Sequence, residues 1–149
     1  LSRNSEEVGS GLTIGVLGHP YCLYDAGLNL NTLRRLDKLA ALVTPEMLPS
    51  HYQGVGSGKL PKKLFWTMGK LQFDAVEWML NEVKVDGFVQ LVTFACGPEA
   101  IVGDLLERRI REAGIPFLRL YFEEHSGEAG LITRLEAFTD LLKYRRRAC

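Results

Sequence analysis

Cys96 lies in the sequence FACGPEA (residues 94–100), where an apolar run ends and a helical pattern begins. Pro98 suits the first turn of a helix, so Cys96 is predicted immediately before a helix N-terminus. The unsatisfied N–H groups and the positive dipole end at such a position favour the thiolate over the thiol. A thiolate there could bind a metal ion or attack a carbonyl carbon, whereas a structural cysteine would only fill a small space beside the turn.

A second polar group, EEHSGEAG, occupies residues 123–130. Together with Cys96 it is compatible with a Cys-His-Glu hydrolase, in which His125 would be the general base and Glu128 would orient it. A nucleophile on a strand-to-helix turn requires small residues two positions before and after it. Phe94 and Pro98 occupy those positions, which disfavours the hydrolase.

Two glycine-containing segments resemble nucleotide-binding loops only superficially. Gly15 and Gly18 are too few for a dinucleotide-binding motif. The sequence GVGSGK (54–59) lacks the Ser or Thr that follows the lysine of a phosphate-binding loop, since Leu60 occupies that position. We therefore predict that residues 54–59 form an ordinary flexible loop.

Apolar runs bounded by Gly and Pro alternate with segments of helical periodicity, in the order β-α-β-α-β-α-β-α. This alternation predicts a three-layer, Rossmann-like α/β sandwich with a four-stranded parallel sheet. The predicted strands are residues 12–18, 41–46, 85–95 and 115–122, and the predicted helices are residues 30–40, 63–83, 97–113 and 131–143. Residues 85–95 are the most apolar strand and are therefore expected at the centre of the sheet.

Single residues mark the helix ends and faces. Asn29 or Asn31 is expected to cap the first helix, and Gly114 is expected to follow the end of the third. Phe65 is expected on the buried face of the second helix.

Three loops, residues 18–29, 94–99 and 122–130, each follow a predicted strand. The carboxyl ends of parallel strands meet at one edge of a sheet, and ligands bind there in open α/β sheets. The loop that contains Cys96 should therefore lie close to the other two.

The composition is that of an ordinary globular domain, with 46% hydrophobic and 24% charged residues. Lys plus Arg and Asp plus Glu both number 18, and the zero net charge argues against nucleic-acid or membrane-surface binding. No apolar run approaches the roughly 20 residues of a membrane helix, and no signal peptide is visible. Three distant cysteines do not form a disulfide framework, so the sequence predicts a cytoplasmic protein.

The 149 residues fit one domain with its own core. Residues 1–11 are polar and Gly/Ser-rich and are expected to be a flexible lead-in. Residues 12–144 are expected to form a single α/β domain excised from a larger protein, because the chain begins with Leu1 rather than Met. Residues 145–149, which include three consecutive arginines, are expected to be a frayed basic tail after the last helix.

Four stretches together resemble the acyl-CoA dehydratase activase-related family, which is related to the 2-hydroxyglutaryl-CoA dehydratase and benzoyl-CoA reductase subunits. Its members are often described as CoA-substrate-specific enzyme activases. The resemblance extends from about residue 12 to residue 142. The stretches are GHPYCLYDAGLNLN, LFWTMGK, VDGFVQLVTFACGPEA and EEHSGEAGLITRLEAFTDLL.

The resemblance implies a Rossmann-like unit of a larger, oxygen-sensitive protein found under anaerobic conditions. It implies low-potential electron transfer through a 4Fe-4S or related iron–sulfur cluster, ahead of radical chemistry on a CoA thioester. The implied partners are the other domains of the parent protein, a separate ATP-dependent activator component and an acyl-CoA. The isolated domain is expected to be inactive by itself.

The family pattern matches this chain most specifically at Cys96 and Gly97, and it implies that Cys96 is a cluster ligand. Cys22 stands where the resemblance leads us to expect Asn, so it is either a second ligand or a chance substitution. His19 and Tyr21 would line the same edge and could position a substrate or a partner.

His125 and Glu128 would lie at this edge too and are the candidate catalytic residues. A cubane cluster usually requires four cysteines, or three with an open site, so this chain alone would hold an incomplete cluster. ATP binding is expected elsewhere, because no phosphate loop is present. The alternative is a Rossmann-like ligand- or partner-binding module without a redox role, in which Cys96 is only a turn residue.

Overall fold

The computed structural model describes residues 11–60, 62–93, 97–123 and 127–148. Its sheet confirms the predicted four-stranded parallel α/β fold, with the strand order β2-β1-β3-β4. The strands are β1 (Thr13–Leu17), β2 (Ala41–Val43), β3 (Gly87–Thr93) and β4 (Phe117–Phe122). Six of the seven β3 residues are buried, which fits the most apolar predicted strand at a central position.

The described residues form five α-helices: α1 (Pro20–Tyr24), α2 (Thr32–Asp37), α3 (Thr67–Trp78), α4 (Gly97–Glu112) and α5 (Glu128–Ala148). Helix α3 continues as a π-helical segment, Met79–Val83, and three short 3-10 helices precede it at Pro45–Met47, Ser50–Tyr52 and Ser57–Lys59. No helix in the described residues is both long and apolar enough to cross a membrane.

Helices cover both faces of the sheet, as the predicted three-layer architecture requires. One apolar cluster joins one face to α1, α2 and α5, with buried residues such as Leu36 and Leu135. The other cluster joins the opposite face to α3 and α4, with buried residues such as Val76 and Leu106. Gly114, the predicted residue after the end of α4, has the left-handed φ of 74° that such a position requires.

Three predicted boundaries were wrong. Residues 18–29 are not loop throughout, because α1 forms within them. The helical pattern placed Phe65 on the buried face of a helix beginning at residue 63, but α3 begins at Thr67 and Phe65 is 90% exposed. Strand β2 ends at Val43 instead of residue 46 because a 3-10 helix begins at Pro45.

The basic C-terminal residues are not frayed, since α5 continues through Arg145, Arg146 and Arg147 to Ala148. Arg145 donates a hydrogen bond to the carbonyl of Gly114 at 3.0 Å. Arg146 donates to the carbonyl of Gly11 and lies 3.7 Å from the carboxylate of Asp86. These contacts at the end of the helix explain why it is longer than its apolar pattern predicts.

The glycine-containing segment 54–59 has its backbone N–H groups occupied by an internal carboxylate. Asp74, on α3, accepts hydrogen bonds from the N–H groups of Gly54 (2.8 Å), Gly56 (2.9 Å) and Ser57 (2.7 Å). In a phosphate-binding loop, such groups would face the nucleotide. The segment is therefore hydrogen-bonded to α3 and contains the 3-10 helix Ser57–Lys59, so the prediction of an ordinary flexible loop was wrong.

Glu77 lies on α3, one helical turn after Asp74, and its carboxylate links α3 to the 54–59 loop and to α4. Its side chain is only 3% exposed, and it accepts hydrogen bonds from Arg109 on α4 and from Lys59 at 3.1 Å. Burial alone would raise the pKa of the Glu77 carboxyl, but the bonds from Arg109 and Lys59 outweigh it and lower that pKa.

We predict that Glu77→Gln lowers the free energy of unfolding at pH 7 by about 2 kcal/mol, because it removes charge-assisted hydrogen bonds to a buried carboxylate. A lowered folded-state pKa stabilises the fold above the unfolded-state value, near 4.5, and this stabilisation is lost as pH falls through the folded-state pKa. The difference between wild type and variant should therefore shrink below about pH 4.5. Urea unfolding across this pH range measures it.

The matched control is Glu112→Gln, which removes an exposed ion pair with Arg108 on α4. That change should cost no more than about 0.5 kcal/mol. Equal effects of the two substitutions would contradict a special role for the buried carboxylate.

Candidate functional site

Helix α1 crosses the carboxyl edge of the sheet and connects the ends of three strands. It follows β1, and the Tyr21 hydroxyl shares a 3.1 Å hydrogen bond with Thr93 Oγ1 at the last residue of β3. The Tyr24 hydroxyl lies 3.4 Å from Thr44 Oγ1 and donates to Glu46 Oε2 at 3.0 Å, both just after β2. Hydrogen bonds of Tyr21 and Tyr24 therefore connect this short helix to the carboxyl ends of β3 and β2, where the site is predicted.

Burial raises the pKa of Tyr24, and the neighbouring Glu46 raises it further despite an opposing effect of the hydrogen bond to Thr44. The Tyr24 hydroxyl therefore keeps its proton at neutral pH and remains available as a donor to Glu46.

The turn between β1 and α1 requires glycine. Gly18 has a φ of 150°, and a Cβ atom added to it would lie 2.7 Å from the carbonyl oxygen of Leu91 on β3. His19 follows it and is half-buried, with its ring stacked on the Tyr21 ring at a centroid distance of 5.5 Å. His19 and Tyr21 are thus adjacent at the carboxyl edge, as the sequence analysis expected of both.

Asn29 holds the end of α1 against the beginning of α2. Its buried side chain donates to the carbonyls of Cys22 (2.9 Å) and Leu23 (2.6 Å), and it accepts from the N–H of Thr32 at 3.2 Å. Asn31, the other residue expected to cap α2, makes no side-chain capping bond. This buried amide therefore links the end of α1 to the beginning of α2.

Cys22 is fully buried in the apolar cluster on the α1, α2 and α5 face of the sheet. Its neighbours in that cluster include Val16, Leu23 and Val89. This environment is typical of a structural cysteine that fills space in a core. It favours the packing role over the role of a second ligand.

Cys96 itself lies outside the described residues, between the end of β3 at Thr93 and the start of α4 at Gly97. The predicted helix start after Cys96 is confirmed, and Gly97 is exposed at the first position of the helix. Thr93, three residues before Cys96 in the chain, is the residue that shares a hydrogen bond with Tyr21. The end of β3 that leads into the Cys96 segment is therefore held at the carboxyl edge by this hydrogen bond.

The third loop leads from β4 to α5, and His125 within it also lies outside the described residues. Glu128, the first residue of α5, forms an ion pair with Arg35 of α2. A cavity of about 460 Å³ lies between the end of β4 and the beginning of α5. Its lining includes Leu30, Tyr121, Glu123 and Arg134.

Within the described ranges, no group of three or more His, Cys, Asp or Glu side chains comes close enough together to hold a metal ion.

The sequence analysis missed the contributions of Asn29, Tyr24 and Thr93 to this edge. Tyr24 and Thr93 had no recognisable signal, because a hydroxyl contact between distant segments leaves no periodicity in the sequence. Asn29 was identified only as a helix cap.

We predict that Asn29→Ala lowers the free energy of unfolding by about 2 kcal/mol, because the carbonyls of Cys22 and Leu23 lose their buried donor. The Thr32 N–H keeps its bond to the Asn29 carbonyl. The matched control is Asn81→Ala, which removes one hydrogen bond from an exposed asparagine to the Glu77 carbonyl. The control should cost less than about 1 kcal/mol. Urea unfolding monitored by circular dichroism measures both, and similar losses would show that Asn29 does not hold this edge.

Comparison with known proteins supports the resemblance found in the sequence. No curated protein matches the chain. A family model, described as 2-hydroxyglutaryl-CoA dehydratase, D-component, matches residues 64–142, or 79 of the 149 residues. The matched region runs from just before α3 into α5 and includes the Cys96 segment. The chain therefore belongs to the 2-hydroxyglutaryl-CoA dehydratase D-component family, whose name indicates one component of a multi-component acyl-CoA dehydratase.

Proposed function

We propose that this chain is a domain of an acyl-CoA dehydratase-type component, in which Cys96 supplies one ligand of an iron–sulfur cluster. The cluster would carry low-potential electrons to chemistry on a CoA thioester. The observation that carries the proposal is the family match across residues 64–142, which includes the β3–α4 junction and its single cysteine.

The position of this junction supports the proposal. Ligands of open α/β sheets bind at the carboxyl ends of the strands, and Cys96 lies between the end of β3 and the start of α4. The first N–H groups of a helix have no partner within the helix, so they can donate to cluster sulfur atoms. This chemistry accounts for a cysteine immediately before a helix better than packing alone does.

The remaining ligands would come from other domains or components, since a cubane cluster usually requires four cysteines, or three with an open site, and one of the three cysteines of this chain is buried in the core. We leave Cys22 out of the proposed ligand set because it is buried in the core. His19 and Tyr21, stacked at the same edge, would position a substrate or a partner component.

An ATP-dependent activator component would supply the electron. ATP would bind to that component, because Asp74 occupies the N–H groups of the 54–59 loop.

A ligand-binding module without a redox role is the second candidate. The cavity beside β4 and α5 favours it, because a ligand site at this position needs no metal. The hydrolase gains no support, since the partner of the Glu128 carboxylate among the described residues is Arg35.

The test is the iron and sulfide content, with the visible spectrum, of the anaerobically purified full-length protein and of its Cys96→Ser variant. We expect a brown parent protein and a variant that loses most of its iron, because a thiolate ligand is removed. The matched control is Cys149→Ser, the same chemical change at the cysteine that remains once the buried Cys22 is set aside, which should keep the parental iron content.

Equal iron in the parent and the Cys96→Ser protein would show that Cys96 is not a ligand. A parent protein without iron would favour the ligand-binding module. Circular dichroism of each variant shows whether the fold persists, so that loss of iron is not confused with unfolding.

A further inference from the structure

Residues 62–70, KKLFWTMGK, present a basic aromatic surface to which the proposed function assigns no role. Phe65 is 90% exposed, and the adjacent Trp66 is 41% exposed. No ring contact joins either side chain to a residue that the structure describes. Two flat aromatic side chains are therefore open to a planar ligand, which can stack on them.

Three lysines of the basic aromatic surface carry a positive charge that the described residues do not neutralise. Lys62, Lys63 and Lys70 are exposed, and none of them makes a side-chain hydrogen bond or an ion pair with a described residue. No Asp or Glu occurs among residues 62–70, whereas the chain as a whole has no net charge. Several cations on one surface favour a ligand that carries more than one negative charge.

The N-terminus of α3 lies within this surface and adds to its positive potential. The helix begins at Thr67, with no acidic residue in its first turn and no side-chain capping bond. The first N–H groups of a helix have no acceptor within it, and the helix dipole places partial positive charge there. Phosphate groups suit such a position, because they accept several hydrogen bonds and carry negative charge.

The basic aromatic surface lies beside the first turns of α4, at the carboxyl edge of the sheet. A Cβ atom added to Gly69 would lie 3.0 Å from the side chain of Val102 and 3.8 Å from that of Leu64. Val102 is about 8 Å along the helix axis from Gly97, the first residue of α4. A ligand anchored on this surface can therefore extend to the junction between β3 and α4.

We propose that the basic aromatic surface binds the nucleotide end of a CoA thioester, an assignment that rests on the proposed function. The adenine ring stacks on Phe65 and Trp66, while the diphosphate and the 3′-phosphate pair with Lys62, Lys63 and Lys70. The pantetheine arm separates this end of CoA from its thioester. The nucleotide can therefore stay on the exposed surface and anchor the substrate while the thioester lies at the carboxyl edge.

Titration of the 149-residue chain with acetyl-CoA at low ionic strength tests this, with tryptophan fluorescence as the readout. Stacking should quench the fluorescence of Trp66, and Trp66→Phe should remove this signal while calorimetry still detects binding. Adenosine 3′,5′-bisphosphate, which lacks the pantetheine arm, should compete with acetyl-CoA, whereas pantetheine should not. Added salt should weaken binding, because the lysines that pair with the phosphates are exposed.

Lys62→Gln combined with Lys63→Gln should weaken acetyl-CoA binding at least tenfold, because two charges that pair with phosphate are removed. The matched control combines Lys38→Gln with Lys84→Gln, two exposed lysines outside this surface that also have no described partner. That variant should bind as the wild type does. Phe65→Leu keeps an apolar side chain but removes the flat ring, so it should also weaken binding. Circular dichroism should show the same fold in each variant, because the replaced side chains are exposed.

Equal losses in the two lysine pairs would overturn the proposal, and so would absence of saturable acetyl-CoA binding up to about 5 mM. ATP binding as tight as that of acetyl-CoA would contradict it by assigning the surface to nucleotides in general. Preferential binding to phosphatidylserine vesicles would contradict it by assigning the surface to a membrane. The full-length protein with both Lys62→Gln and Lys63→Gln should keep the parental iron content, so this proposal and the cluster proposal can fail separately.

Discussion

The parallel direction of all four strands is the constraint on which the rest of the structure depends. Because β1 pairs with β2 and β3, and β3 with β4, every strand ends at the same edge of the sheet. Helix α1 then crosses that edge, with Tyr21 on the end of β3 and Tyr24 on the segment after β2. The loops that follow β1, β3 and β4 are thereby brought to one edge although they are far apart in sequence.

Buried polar groups hold the connecting segments in place where apolar packing cannot. The Asp74 carboxylate accepts hydrogen bonds from three N–H groups of the 54–59 loop. The Asn29 amide donates to two carbonyls of α1 and accepts from one N–H of α2. Each group is buried, so its hydrogen bonds are costly to lose. The sheet thus determines where the site lies, and these side chains determine how firmly its surroundings are held.

The sequence predicted features that repeat along the chain and missed those that depend on single distant contacts. Apolar runs identified the sheet, and Gly114 identified the end of α4. Helix α1 was missed because five residues after Gly18 are too few to show helical periodicity. Asp74 was missed because a carboxylate that binds backbone N–H groups looks, in sequence, like any solvated helix residue. Cys96 was recognised from its local motif, and its ligand role stays a prediction.

The central claim is that the carboxyl edge presents Cys96 to an iron–sulfur cluster, and alkylation of the cysteines tests it most directly. The anaerobic full-length protein would be treated with iodoacetamide before and after its iron is removed by a chelator, with peptide mass spectrometry reporting each cysteine. We predict that Cys96 is protected in the iron-loaded protein and reacts after iron removal, while Cys149 reacts equally in both states. Equal labelling of Cys96 in both states would contradict the claim.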